Sequence, residues 1–221
     1  MATLQALHLP PQHHSHQRFP PAPVTRAICL GIGSFDPPDG GWEAKRKTYI
    51  QLIAFLIMVE ELEKSLATKI PCIFQEPIFT EHDRTFLTNL GHQIVDSPRG
   101  CELVDKGTFF YGVHLYRPIY VMALKNTTPA IFVGTGWDVW DQVNISSEPS
   151  DDLFNLHEIE LTYNKAPFPQ DTTTAFSSTS IYFRPPATTQ EKDGEQAKEN
   201  LQEGLAATVD GEQKDKSPST E

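Results

Sequence analysis

Blocks of apolar residues recur along this chain in two sizes, short runs of four to six and one run that persists for about twenty-five residues. Residues 26–30 (RAICL) form a short apolar run that ends at Gly31, the mark of a buried strand. Residues 42–67 are apolar around most of a helical wheel, which predicts a long helix buried on more than one side. A second run, 70–75, stops at Glu76 and Pro77. Thr80 followed by Asp83 is a variant of the capping box that opens a helix, and the helix it predicts closes near Leu90, with Gly91 as its C-terminal residue. Residues 93–95 and 107–111 read as the third and fourth strands, 116–125 as a helix, and 130–133 as a fifth strand ended by Gly134 and Gly136. After Trp137 the pattern loosens. Residues 159–163 and 179–183 read as further strands at a sheet edge, joined by an irregular link through Pro167 and Pro169. There is no internal repeat.

Strands that alternate with helices make parallel βαβ units with right-handed crossovers, and helices cover both faces of the sheet. The fold expected is a three-layer, Rossmann-like α/β domain with a mostly parallel sheet.

Composition limits how much of the chain this domain occupies. Of 221 residues 38% are hydrophobic and 18 are proline, a poor composition for a chain packed throughout. Residues 1–24 place His13, His14 and His16 among prolines, and residues 187–221 are almost wholly polar or charged. Neither end has apolar surface to offset the entropy of ordering it. The organisation expected is a disordered Pro/His-rich arm over 1–24, a folded domain over 25–186, and a disordered acidic tail over 187–221.

The formal charge of −11 argues against nucleic acid as a main partner, since phosphate binding needs a concentrated basic surface. The tail, with nine acids and four lysines, supplies about −5 of it, and no basic cluster stands elsewhere. The apolar core of the long helix, 49–59, is too short to span a bilayer, and the N-terminus lacks the pattern of a signal peptide, so no membrane association is expected. Cys29, Cys72 and Cys101 are too scattered for a disulfide scaffold, which points to the cytoplasm or the nucleus. The histidines near the N-terminus have no folded frame on which to converge, and no metal site is expected.

In an open α/β sheet, ligands bind beyond the carboxyl ends of the strands. Gly31, Gly33 and Ser34 follow the first strand, Glu76 the second, and His114 the fourth; these five are the candidate cofactor-binding residues, and His114 is the candidate acid or base. The glycine loop departs from the dinucleotide fingerprint. Asp36 stands where a third small residue belongs, and Glu76 follows Gly33 by more than forty residues instead of about twenty. Two readings of Gly31 and Gly33 stay open: they admit a small molecule, or they end a strand beneath a long helix. His114 is equally readable as a histidine bonded to a loop carbonyl. There is no Walker lysine loop, Cys-x-x-Cys pair or nucleophile elbow, so no reaction and no cofactor identity follow from motifs.

Several blocks in register resemble the sensitivity-to-red-light-reduced (SRR-like) domain, in the form of its fungal branch. ICLGIGS at 28–34 is similar to the family's opening glycine loop, Gln51 and Leu52 to its glutamine-leucine step, and QEPIFTEHD at 75–83 to its acidic-Pro-x-Phe-Thr-x-x-Asp block. Leu87 to Gly91, GTFFY at 107–111 with His114, FVGT at 132–135 and AFSSTSIYF at 175–183 resemble the blocks that follow. The chain departs from the family at Glu76, where Asp is usual, at Val113 and Leu115 beside the histidine, at Thr135, and at Ser177 and Ser178. The resemblance implies regulation more than catalysis, in circadian and light signalling or in haem biosynthesis. On that reading the protein is a regulatory module that meets protein partners, with a cleft for a small molecule or nucleotide. The alternative is a transferase-like enzyme using the Gly31–Ser34 loop, Glu76 and His114.

Overall fold

The computed structural model describes residues 23–143, 153–169 and 174–186. The expectations for the N-terminal arm, its histidines and the acidic tail fall outside the described residues, except that Pro23 is exposed and Val24 is buried.

Seven strands form one sheet in the order β3-β2-β1-β4-β5-β7-β6. β1 (Arg26–Leu30) pairs in parallel with β2 (Cys72–Gln75) on one side and with β4 (Thr108–Gly112) on the other. β3 (Gln93–Ile94) extends the sheet beyond β2, and β5 (Ile131–Gly134) extends it beyond β4, both in parallel. β7 (Ser180–Phe183) runs antiparallel to β5 and to β6 (Asn164–Pro167). The order reverses between β1 and β4, which makes that gap the switch point of the sheet.

Alternation along the strands sorts two cores. Ala27, Cys29, Phe109, Tyr111, Ile131 and Val133 face the helices α1 (Trp42–Leu66) and α2 (Glu81–Asn89). Ile28, Leu30, Phe110 and Phe132 face α3 (Arg99–Glu102), α4 (Arg117–Leu124), α5 (Trp137–Val143) and α6 (Phe154–Thr162). Phe55 of α1 is wholly buried and lies 5.3 Å from the ring of Phe74, 5.6 Å from Phe109 and 5.4 Å from Tyr111, so one side chain spans β2 and β4.

The structure corrects three expectations. Residues 159–162 belong to helix α6, not to a strand, and Tyr163 ends that helix. Ile159, Leu161 and Tyr163 alternate like a strand, but Leu161 is 73% exposed; packing uses Leu153, Leu156 and Ile159, spaced by three. The supposed irregular link holds β6, an edge strand with no apolar signal of its own, ending at Pro167 as edge strands tolerate. Third, α1 is buried on one side only. Thr48, Gln51, Leu52, Phe55 and Val59 face the sheet, while Ile53 and Ile57 are more than half exposed.

Candidate functional site

The loop after β1 is built around a carboxylate. Gly31 and Gly33 both take left-handed backbone, with φ of +69° and +87°, a conformation that glycine enters without steric cost. The turn they make carries Ser34, Phe35 and Asp36 onto the amino end of α2. There Asp83, 1% exposed, accepts from the Ser34 hydroxyl at 2.7 Å, from the backbone N–H of Phe35 at 2.9 Å and of Asp36 at 3.1 Å. The same carboxylate accepts from the Thr80 N–H at 2.9 Å, while the Thr80 hydroxyl accepts from the Asp83 N–H, which completes the capping box read from the sequence. One residue therefore caps a helix and anchors the glycine loop, and Ser34 is buried by that anchor.

Glu76 closes the loop from the β2 side. Its carboxylate accepts from the Gly33 N–H at 2.9 Å and from the Ile78 N–H at 3.2 Å. Thr48 of α1 donates its hydroxyl to the Ile32 carbonyl at 3.1 Å, and a Cβ on Gly33 would stand 2.9 Å from that hydroxyl oxygen. The absence of a side chain at Gly33 makes room for Thr48.

Across the switch point the packing is apolar. Leu115, 7% exposed, lies over the ends of both β1 and β4: a Cβ on Gly31 would collide with its Cδ2, and one on Gly112 would stand 2.6 Å from its Cδ1. Behind it, the buried Tyr120 hydroxyl donates to the Gly112 carbonyl and accepts from the Thr135 N–H at 3.0 Å, tying the end of β4 to that of β5. Burial pushes the Tyr120 phenol up, as it does the Cys29 thiol in β1, which the negative charge of Glu76 raises further. Neither group ionises near neutral pH.

His114 takes left-handed backbone, φ +57°, and is exposed. Its Nε2 lies 2.9 Å from the Ser177 carbonyl oxygen and 3.3 Å from the Ser177 hydroxyl, in a loop where Ser178 is also left-handed. The same loop is fixed from the other side by Gln51, whose buried amide donates to the Ala175 carbonyl at 2.9 Å. Farther along the rim, Lys165 bridges Asp138 at 3.0 Å and Glu160 at 2.7 Å, and the Tyr182 hydroxyl donates to Glu160 at 2.6 Å.

Gly33, Ser34 and Glu76 thus form one bonded cluster with Asp83, Gly31 packs against Leu115, and His114 belongs to a second cluster with Ser177. Asp83, Leu115 and Gln51 were not among the residues the sequence nominated. The capping motif named Asp83, but only as a cap; that it also anchors a loop 47 to 49 positions earlier is a tertiary fact. Leu115 stood out only as a departure from the family beside the histidine, and Gln51 only as part of the glutamine-leucine step.

Among the described residues, no group of three or more His, Cys, Asp or Glu is placed to hold a metal ion. No described helix is long and apolar enough to cross a membrane. No curated protein and no solved structure matches the chain significantly. The family model of the SRR1 domain matches residues 12–183, most of the chain and all of the sheet just described. The match agrees with the sequence blocks, and through the family it assigns the protein to regulation or signalling in general terms. The chain belongs to the SRR1 domain family.

Proposed function

We propose that this protein is a regulatory SRR1-domain protein of the light-response, circadian or haem-regulating kind, and that it works by binding rather than by chemistry at the strand ends. One observation carries the reading. At the switch point, where a doubly wound sheet receives its ligand, Leu115 fills the space left by Gly31 and Gly112. The polar groups nearby are engaged with the protein itself: Ser34 with Asp83, Glu76 with Gly33 and Ile78, His114 with Ser177. A catalytic acid or base has to reach a substrate proton, and these groups hold loops.

Rescue of a strain lacking the protein tests this. Glu76→Gln and His114→Ala, each confirmed as folded by its melting temperature, should restore haem content and light response to the wild-type level. Loss of rescue by both variants, with folding intact, would overturn the binding reading in favour of catalysis.

A second reading, a cofactor-dependent transferase with a nucleotide cleft, draws on one feature: the Glu76 carboxylate stands at the end of β2, 2.9 Å from the glycine-loop amide. That is where an acidic residue meets a ribose in dinucleotide-binding sheets. Its test is a melting-temperature screen against nucleotides, dinucleotides, S-adenosylmethionine and haem, because binding to the native state raises stability by mass action. A rise that Glu76→Gln abolishes would support this reading.

A further inference from the structure

Helix α1 presents a second face that the fold does not use. Trp42, Tyr49, Ile53 and Ile57 are 73%, 37%, 56% and 55% exposed. At about 100° per residue, these four fall within about 40° of the direction of Ile53, as do Arg46, Glu60 and Lys64. They form one straight stripe about 33 Å long, from residue 42 to residue 64. Tyr49 is held at the edge of the stripe by the rings of Phe35, at 5.2 Å, and Phe86, at 6.1 Å, so its ring is set in place. The buried residues Thr48, Gln51, Leu52, Phe55 and Val59 lie on the opposite side of the helix.

The charges on this stripe are ordered. Arg46 stands in the amino half and Glu60 in the carboxyl half, the reverse of what the helix's own dipole favours, while Lys64 in the last turn follows it and bridges Glu60 at 2.9 Å. In an antiparallel pair of α1 helices the order becomes complementary. Placing Ile53 against Ile53 of a second copy sets Tyr49 against Ile57, Arg46 against Glu60 and Trp42 against Lys64, a cation–π pair. Every apolar residue of the stripe then meets an apolar or aromatic-binding partner, and every charge meets its opposite or a ring. Because each contact occurs twice about the two-fold axis, the surface is self-complementary, as an isologous dimer requires.

We infer that this protein self-associates through α1, as an antiparallel two-fold dimer centred on Ile53. A single-helix contact is small, so the dimer forms at roughly micromolar concentration instead of being obligate.

Sedimentation velocity of the full chain over a concentration series tests it. The expected result is a monomer–dimer equilibrium that Ile53→Asp weakens about tenfold or more, with no change in melting temperature because the site is exposed. Arg46→Glu and Glu60→Arg should each weaken the dimer several-fold, and the two together should restore it, because the double variant rebuilds the pair with its signs exchanged. Cross-linking fixes the register. With Ile53→Cys, a short bis-maleimide should join two copies; with Glu60→Cys it should not, since the antiparallel pairing sets the two thiols at position 60 about 20 Å apart. The native Cys29, Cys72 and Cys101 are buried and stay out of the reaction. A chain that is monomeric throughout would overturn the inference and leave the stripe to a different partner. A dimer untouched by Ile53→Asp, or cross-linking at position 60 but not at 53, would overturn it as well.

Discussion

The loops after β1 and after β4 occupy equivalent places in the sheet and are held by different physics. The β1 loop is held by a buried carboxylate: Asp83 alone takes four hydrogen bonds from Ser34, Phe35, Asp36 and Thr80, and Glu76 takes one from Gly33. The β4 loop is held by an apolar side chain, Leu115, by the buried Tyr120 hydroxyl on the Gly112 carbonyl at its root, and by one exposed histidine on a carbonyl. A loop fixed by buried charge-assisted hydrogen bonds is rigid and costly to disturb, because removing the acceptor leaves several donors unsatisfied at once. A loop fixed by packing and a surface contact can lose the surface contact at modest cost, and loss of the buried leucine would open a cavity without stranding a buried donor. The rim of this sheet therefore has a stiff side and a compliant side, divided at the switch point.

The largest expected effect removes the distinction. Phe55 packs against both β2 and β4, so Phe55→Ala should lower stability by about 3–5 kcal/mol. Hydrogen exchange should then show protection falling in both loops together. A loss below about 1 kcal/mol in denaturant unfolding would show that the helix does not pack as described.

Asp83→Ala should sharpen the contrast. It removes a helix cap and the acceptor for three buried or half-buried donors of the β1 loop, and should cost about 3 kcal/mol. The increase in hydrogen exchange should concentrate at residues 33–36 and spare 112–115. Equal loosening of both loops would mean that they are coupled and that the division is false.

Ser34→Ala is a smaller version of the same cut. The hydroxyl is buried and donates to Asp83, so its loss should cost about 1 kcal/mol. On the compliant side, His114→Ala should change stability by less than about 0.5 kcal/mol, the usual range for a surface site. If chemical unfolding gave the two variants equal costs, the asymmetry of the rim would fail.

The smallest effect is in pH. His92, half-buried against Phe74 at a ring distance of 5.3 Å, has its pKa lowered by burial. A folded pKa below the unfolded one means that the unfolded state takes up the proton first. The stability that neutral His92 contributes is therefore complete above about pH 6.5 and is lost as pH falls through the lowered folded value. The melting temperature of His92→Gln should fall less than that of the wild type between pH 7 and pH 5, and parallel curves would remove His92 from the account.

Most of the sheet was legible before the structure. β1, β2, β4 and β5 are short apolar runs ended by glycine, Gln75 or a turn, and such runs bury themselves wherever helices cover both faces of a sheet. The capping box at Thr80 and Asp83 was legible too, because both partners lie within one helical turn. Apart from the short α3 and the burial of α1 on one side only, what failed lay past Trp137, where α5 and β6 carry no strong period, and α6 carries two. Ile159, Leu161 and Tyr163 satisfy a strand while Leu153, Leu156 and Ile159 satisfy a helix, and only the neighbours α4 and β7 select one.

Local pattern and motifs a few residues long were enough for β1 to β5 and β7, for α1, α2 and α4, for the family, and for the positions of the rim residues. The tertiary structure alone decided what those rim residues do. Whether Gly31 and Gly33 serve a ligand or a turn depends on Thr48, Asp83 and Leu115, brought from α1, α2 and the end of β4. Their approach is set by how helices pack on a sheet, a property of the assembled fold that no local stretch of chain contains.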